Sequence, residues 1–172
     1  MDSRELRSLQ APLKEQYKTS PENAVTPARA EAVIEDNDIS CQISTYAGTT
    51  VAGLHPATGG DGSKACSADM LMESLVACVA VTLKAVATAM RIPLNHAKVI
   101  ADGTWDARGT LAVDRDAPVG LTDVKLRFEI DSTADRIKLD KMIDLTERYC
   151  VIYQTLAKPP TLTSELKIIQ KS

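Results

Sequence analysis

Four cysteines, Cys41, Cys66, Cys78 and Cys150, carry the most reactive chemistry available to this chain. Cys78 stands at the middle of CSADMLMESLVACVAVTLKAVATAM, residues 66–90, and Cys150 lies in ERYCVIYQTL. A thiol is either a small core residue or, as thiolate, a nucleophile and redox centre. No two of the four form a C-x-x-C pair, and the only histidines are His55 and His96, so no metal centre is expected, although Cys66 and His55 share one loop region. Cys66 borders the start of the long apolar segment, where amide donors would lower a thiol pKa. It is a candidate third redox thiol or a packed structural residue. Cys41, in ISCQIS, reads as core. GGDG reads as a turn, since no G-K-[ST] follows it.

These residues must be positioned by recognisable elements. ELRSLQAPLKEQYK (5–18) predicts a short amphipathic helix interrupted near Pro12. Alternating segments ARAEAVIE, ISCQIST and TTVAGL predict a β-meander, with a turn at 36–38 between the first two. HPATGGDGSK (55–64) is an irregular loop, and a long helix follows over 67–91, with Ser67 as N-cap, Asp69 in the first turn and Pro93 beyond its end. HAKVIADGTWDA and VKLRFEID predict further strands, with Trp105 as a sheet anchor. TADRIKLDKMIDLTER predicts a second helix with Ile137, Met142, Ile143 and Leu145 on one face, and TLTSELKIIQ a closing strand. Strands and helices segregate by region, so the class is α+β.

On the long helix, at about 100° per residue, Asp69, Glu73, Lys84 and Arg91 form one polar stripe that Ala77, Ala80 and Ala87 complete. Cys78 falls about 180° from Asp69, among Ser74, Leu75, Val81 and Thr82. The thiol therefore points into the apolar side, flanked by two hydroxyls. It is either a compact core residue, or a reactive group in a pocket whose hydroxyls help position a substrate. Burial alone raises a thiol pKa, so an active Cys78 needs a donor or cation from elsewhere.

With 172 residues, 44% apolar and 25% charged, the chain suits one soluble domain with a real core. A net charge of −3 and six aromatic residues argue against nucleic acid as a partner. The N-terminal MDSRELRSLQ has no apolar secretory region, and the strongly apolar run Leu75–Leu83 is shorter than the about 20 residues a bilayer needs. No membrane partner and a cytoplasmic location are expected.

SADMLMESLVACVAVTL, followed some seventy residues later by ERYCVIYQTL, resembles the OsmC/Ohr family of osmotically inducible and organic-hydroperoxide-resistance proteins. The order of elements is similar too, over roughly residues 28 to 170, and the N-terminal segment and GLHPATGGDGSKACS mark a divergent branch. The resemblance implies an OsmC-like fold over 26–172, antiparallel sheets around a long central helix, in an intertwined homodimer, with 1–25 as a helical extension. It implies thiol chemistry without a cofactor. Cys78 would attack an organic hydroperoxide, Cys150 would resolve the product as a disulfide, and an external dithiol would reduce it.

The family pairs an arginine with a helix-opening glutamate beside the first thiolate. Here the glutamate position, ten residues before Cys78, holds Ala68, with Asp69 next to it, and neither VIEDNDIS nor GLHPATGGDGSKACS contains an arginine. His55 and Lys64 are the cations expected to replace it, with Arg29 as an alternative. The rival reading is a non-catalytic protein of the same fold that binds a small lipid-like ligand in the dimer-interface cavity.

Overall fold

The computed structural model describes residues 1–34, 38–46 and 48–169. Helix α1 spans Ser3–Thr19 and is followed by a 3-10 turn, Pro21–Ala24. Strands β1 (Glu31–Ile34), β2 (Ser40–Thr45) and β3 (Gly48–Gly53) form an antiparallel meander. The expected turn between β1 and β2 lies outside the described residues except for Asp38. Helix α2 spans Ser67–Met90, β4 His96–Thr104, the short α3 Ala107–Thr110, and β5 Asp123–Asp131. Helices α4 (Arg136–Tyr149) and α5 (Val151–Ala157) follow. β4 and β5 pair antiparallel along their whole length, from His96 opposite Asp131 to Thr104 opposite Asp123.

Helix α1 runs through Pro12 without the expected interruption. Its start is fixed by a capping box. The Asp2 carboxylate accepts from the amides of Arg4 and Glu5, and the Glu5 carboxylate accepts from the Asp2 amide at 2.6 Å. Helix α2 begins at residue 67 as expected, but Cys66 rather than Ser67 is the N-cap, and no side chain caps the first amides. It ends in a Schellman arrangement. Arg91 takes the left-handed conformation at φ 57°, the Ile92 amide reaches back to the Ala87 carbonyl at 2.9 Å, and Ile92 is buried behind it.

The core lies where α2 crosses the β4–β5 sheet and meets α4. Leu75, Val79, Leu83 and Ala87, spaced every four residues, form the buried stripe of α2. Ala87 therefore faces the core, not the polar stripe in which its helical angle placed it. Leu83, Ala87, Ile92 and Met142 form one cluster with Phe128 and Ile130 of β5, and Leu75, Val79 and Cys150 form another with Val99, Leu126 and Phe128. Full burial of each Leu or Met side chain stabilises by about 1.5–3 kcal/mol. On α4 the buried positions are Met142 and Thr146, whose hydroxyl donates to the Met142 carbonyl at 2.8 Å. Ile137 stays 82% exposed, because five helical residues turn it about 140° from Met142.

By length and composition the 24 residues of α2 could cross a membrane. Its packing on the sheet and α4 of its own chain gives it the place of a core helix. Its opposite side is uncovered, with Val81 72% exposed. The expected closing strand is also absent. Residues 161–169 enter neither sheet, and Leu162, Leu166, Ile168 and Ile169 are exposed, since a strand forms only against an edge that satisfies its backbone groups. Residue 170 of that segment lies outside the described residues.

Candidate functional site

Two helix features bring Cys78 and Cys150 together. Cys78 sits halfway along α2, on the flank of its buried stripe and half-buried. Cys150 occupies the junction of α4 and α5 and is fully buried. Its backbone is extended (φ −76°, ψ 116°), which ends α4 and starts α5, and its sulfur accepts the Tyr153 amide at 3.4 Å as an N-cap would. Gln154 ties the junction down, its side-chain amide donating to the Glu147 carbonyl at 2.9 Å.

This junction aims donors at the Cys78 sulfur. Burial pushes the thiol pKa up, but the Ile152 amide, the Cys150 thiol, the Val151 amide and the Thr82 hydroxyl together outweigh it and hold Cys78 below the ordinary thiol value. Cys150 moves the other way. Burial raises it foremost, the Tyr153 amide opposes that, and the hydrogen bond and charge of Cys78 add to the rise. The pair is thus asymmetric, with Cys78 lowered and Cys150 raised. All four cysteines are free thiols.

No cation is among the groups acting most strongly on Cys78. Lys64 is paired with Asp38, and Arg29 with Glu31 at 2.8 Å. His55 caps the 3-10 turn Pro56–Thr58, its Nδ1 accepting the Ala57 amide at 3.0 Å, and its ring stands edge-on to Trp105 at 5.4 Å between centroids. Trp105 lies just past β4 against this ring rather than on a sheet face. Asp69 is exposed in the first turn of α2, and Ser74, expected beside the sulfur, is exposed as well. Cys41 is half-buried in β2, opposite Ile34 and Ala52.

Cys66 and His55 do come together, on the wall of a cavity of about 1080 Å³ at the N-terminal end of α2. Leu71, Leu121, Val124, Leu126 and Leu156 make much of its apolar lining, and Glu147 and Tyr153 bound it toward α4 and α5. Gly60 lets the loop close over this region, because a Cβ there would meet the Leu54 carbonyl oxygen at 1.8 Å. Sequence reasoning missed the amides of residues 151 and 152 and the contribution of Tyr153. The signal available was a cysteine directly after a helical run, followed by a second short helical pattern.

The donor set gives a measurable expectation. Thr82→Val removes one of the groups that lower the Cys78 pKa and, if that group is worth about 1 kcal/mol, should slow Cys78 alkylation at neutral pH about fivefold. His55→Ala should leave that pH profile unchanged. Alkylation rates across the neutral to alkaline range check both, and a shifted profile in His55→Ala alone would return the activating role to His55.

A long helix laid on an antiparallel sheet, with a cysteine on it facing a second cysteine at a helix junction, defines a two-thiol protein of the α+β class. Residues 60–165 match the sequence profile of the OsmC-like protein family, and the chain belongs to that family. Its fold is similar to that of the OsmC-like protein of Mycoplasma pneumoniae, at TM-score 0.66 and 19% identity, covering 78% of this chain and 89% of that one. The organic hydroperoxide resistance protein of Elizabethkingia anophelis superposes with TM-score 0.62 at 14% identity, covering 78% and 91%. That of Bacillus subtilis does so with 0.53 at 12%, covering 78% and 93%. No curated protein matches the chain at a significant level.

Proposed function

We propose that the protein reduces organic hydroperoxides through Cys78 and Cys150. The observation that carries this reading is the asymmetric thiol pair, in which amide and hydroxyl donors lower the pKa of Cys78 while Cys150 is raised. The Cys78 thiolate attacks the terminal oxygen of R–O–O–H. An S–O bond forms, the O–O bond breaks, and the alkoxide leaves as ROH after taking a proton. The Cys150 sulfur then attacks the sulfenic acid, forming the S–S bond and releasing water. A dithiol reductant exchanges with the disulfide and is oxidised in its place. Family membership supports the reading, as do the names of the Elizabethkingia and Bacillus proteins.

The same reading makes the working unit a homodimer. One chain exposes 13396 Å², against about 8,200 Å² expected for a compact monomer of 18.5 kDa. The exposed apolar residues include Val81 on α2, Val33 and Ile34 on β1, and Leu162, Leu166, Ile168 and Ile169 in the C-terminal segment, all of which a second copy could cover. Residues 1–25 then form an extension docked by its N-terminal end against the end of α2, where Met1–Arg4 meet Ala87, Thr88, Arg91 and Ile92. Residues 26–172 form the OsmC-like domain. Four free thiols suit the reducing cytoplasm.

The test is consumption of cumene hydroperoxide and of hydrogen peroxide by the reduced protein with dithiothreitol. Turnover is expected with both, faster with the cumene compound. No catalytic turnover with either would favour the second reading, a non-catalytic ligand binder, which is supported by the lack of a cation among the groups acting most strongly on Cys78.

A further inference from the structure

Helix α1 presents an apolar face that its own chain leaves open. At about 100° per residue, Leu6, Leu9, Leu13 and Tyr17 fall within about 80° of one another. No residue of α1 is buried, and Leu9 and Leu13 are 60% and 47% exposed. Arg7 and Lys14 stand two turns apart along one edge of this stripe, and neither has an ion-pair partner among the described residues. The helix is held at its first turn, where Met1–Arg4 meet the end of α2. A helix of 17 residues with Pro12 in its interior is marginal in water on its own, which calls for cover from outside the chain.

A groove of matching chemistry lies between α2 and β4. Its volume is about 520 Å³, with Met72, Val76 and Val99 as apolar lining and Asp69, Glu73 and Asp102 as acids at its edge. Asp102 pairs with Arg127 at 3.4 Å, whereas Asp69 and Glu73 have no ion-pair partner among the described residues. No residue of α1 from the same chain lines this groove. The root of α1 at Ala87 lies about 20 Å along α2 from Glu73. A second copy can bring the helix there. Glu73, Ala77 and Val81, each four residues from the next, are all exposed, so the acidic edge runs on into the side of α2 that the homodimer reading covers. If two copies of α2 pair antiparallel across a two-fold axis on that side, the C-terminal end of one, which carries α1, lies beside the N-terminal half of the other.

Resting on the homodimer reading above, we propose that α1 is an arm that crosses to the second copy and lies over the groove between its α2 and β4. The leucines of α1 cover Met72, Val76 and Val99 of the second copy, and Arg7 and Lys14 pair with its Asp69 and Glu73. The apolar contact supplies the attraction, and the charges fix the direction and register of the arm.

The test uses full-length protein reassociated from a mixture of light and heavy-nitrogen chains. Carbodiimide coupling should join Lys14 to Asp69 or Glu73, and the joined peptides should include pairs of one light and one heavy member. Arg7→Glu with Lys14→Glu should remove that product and raise the dimer dissociation constant in sedimentation about tenfold. Adding Asp69→Lys and Glu73→Lys to the same chain should bring the constant back toward wild type, which a merely structural role of α1 would not do. Joined peptides of one isotope only would place the arm on its own chain and overturn the proposal. A wild-type dimer that gives no such product, with a dissociation constant indifferent to the charge reversal, would overturn the arm and retain the homodimer. A wild-type protein that sediments as a folded monomer would overturn both. Flotation of the protein with phosphatidylglycerol vesicles, lost on the charge reversal and without any Lys14 coupling, would assign α1 to a lipid surface and overturn the proposal as well.

Discussion

Cys78→Ser is expected to abolish hydroperoxide consumption, a loss of at least ~1,000-fold, because a serine hydroxyl carries almost no alkoxide at neutral pH and has no comparable reactivity toward an O–O bond. Cys150→Ser should behave differently. It should consume about one equivalent of hydroperoxide and then stop, leaving a sulfenic acid on Cys78 that dimedone traps. The second variant also controls for folding. Serine is a good N-cap, so its hydroxyl can take over the Tyr153 amide that the Cys150 sulfur accepts, and the α4–α5 junction should survive. Peroxide consumption in a stopped-flow assay and mass spectrometry of the dimedone adduct provide the readouts. Sustained turnover by Cys78→Ser would remove Cys78 as the attacking thiol, and sustained turnover by Cys150→Ser would remove the need for an internal resolving thiol.

The asymmetry behind this prediction was only half legible in the chain. Helix α2 announced itself by its composition and by Pro93, and the strands by their alternation, because each of these signals is local. The pairing of Cys78 with Cys150 came from a resemblance, not from spacing. What activates Cys78 depends on a junction seventy residues away, where the backbone of Cys150 turns extended and sends the amides of residues 151 and 152 toward the sulfur. Backbone amides carry no residue type, so a search of the sequence for a basic side chain could not find them. His55 was the reasonable cation by position, yet its ring is engaged by Ala57 and Trp105. The closing strand failed for a related reason. TLTSELKIIQ has the composition of a strand, but a strand is a property of two segments, and residues 161–169 meet neither sheet.

Val81→Asp should separate a solitary chain from a dimer. Val81 lies on α2 on the side away from the sheet, 72% exposed in the single chain. If that side faced water in solution, the substitution would be nearly neutral, within about 0.5 kcal/mol, as surface changes usually are. If a second copy covers it, an aspartate there buries a carboxylate against apolar side chains without a partner, at a cost of several kcal/mol for each chain. The surplus exposed area favours the second case. It is about 5,000 Å² per chain above that of a compact monomer, well beyond the roughly 800 Å² that each partner contributes to a standard-size interface. The wild-type protein should therefore sediment as one species near twice 18.5 kDa at micromolar concentration. Val81→Asp should lose that species, unfold at a much lower temperature and lose any peroxidase activity although Cys78 and Cys150 are untouched. A Val81→Asp protein that melts like the wild type, together with a wild type that sediments as a stable folded monomer, would show that α2 keeps its apolar side open to water and would end the homodimer reading.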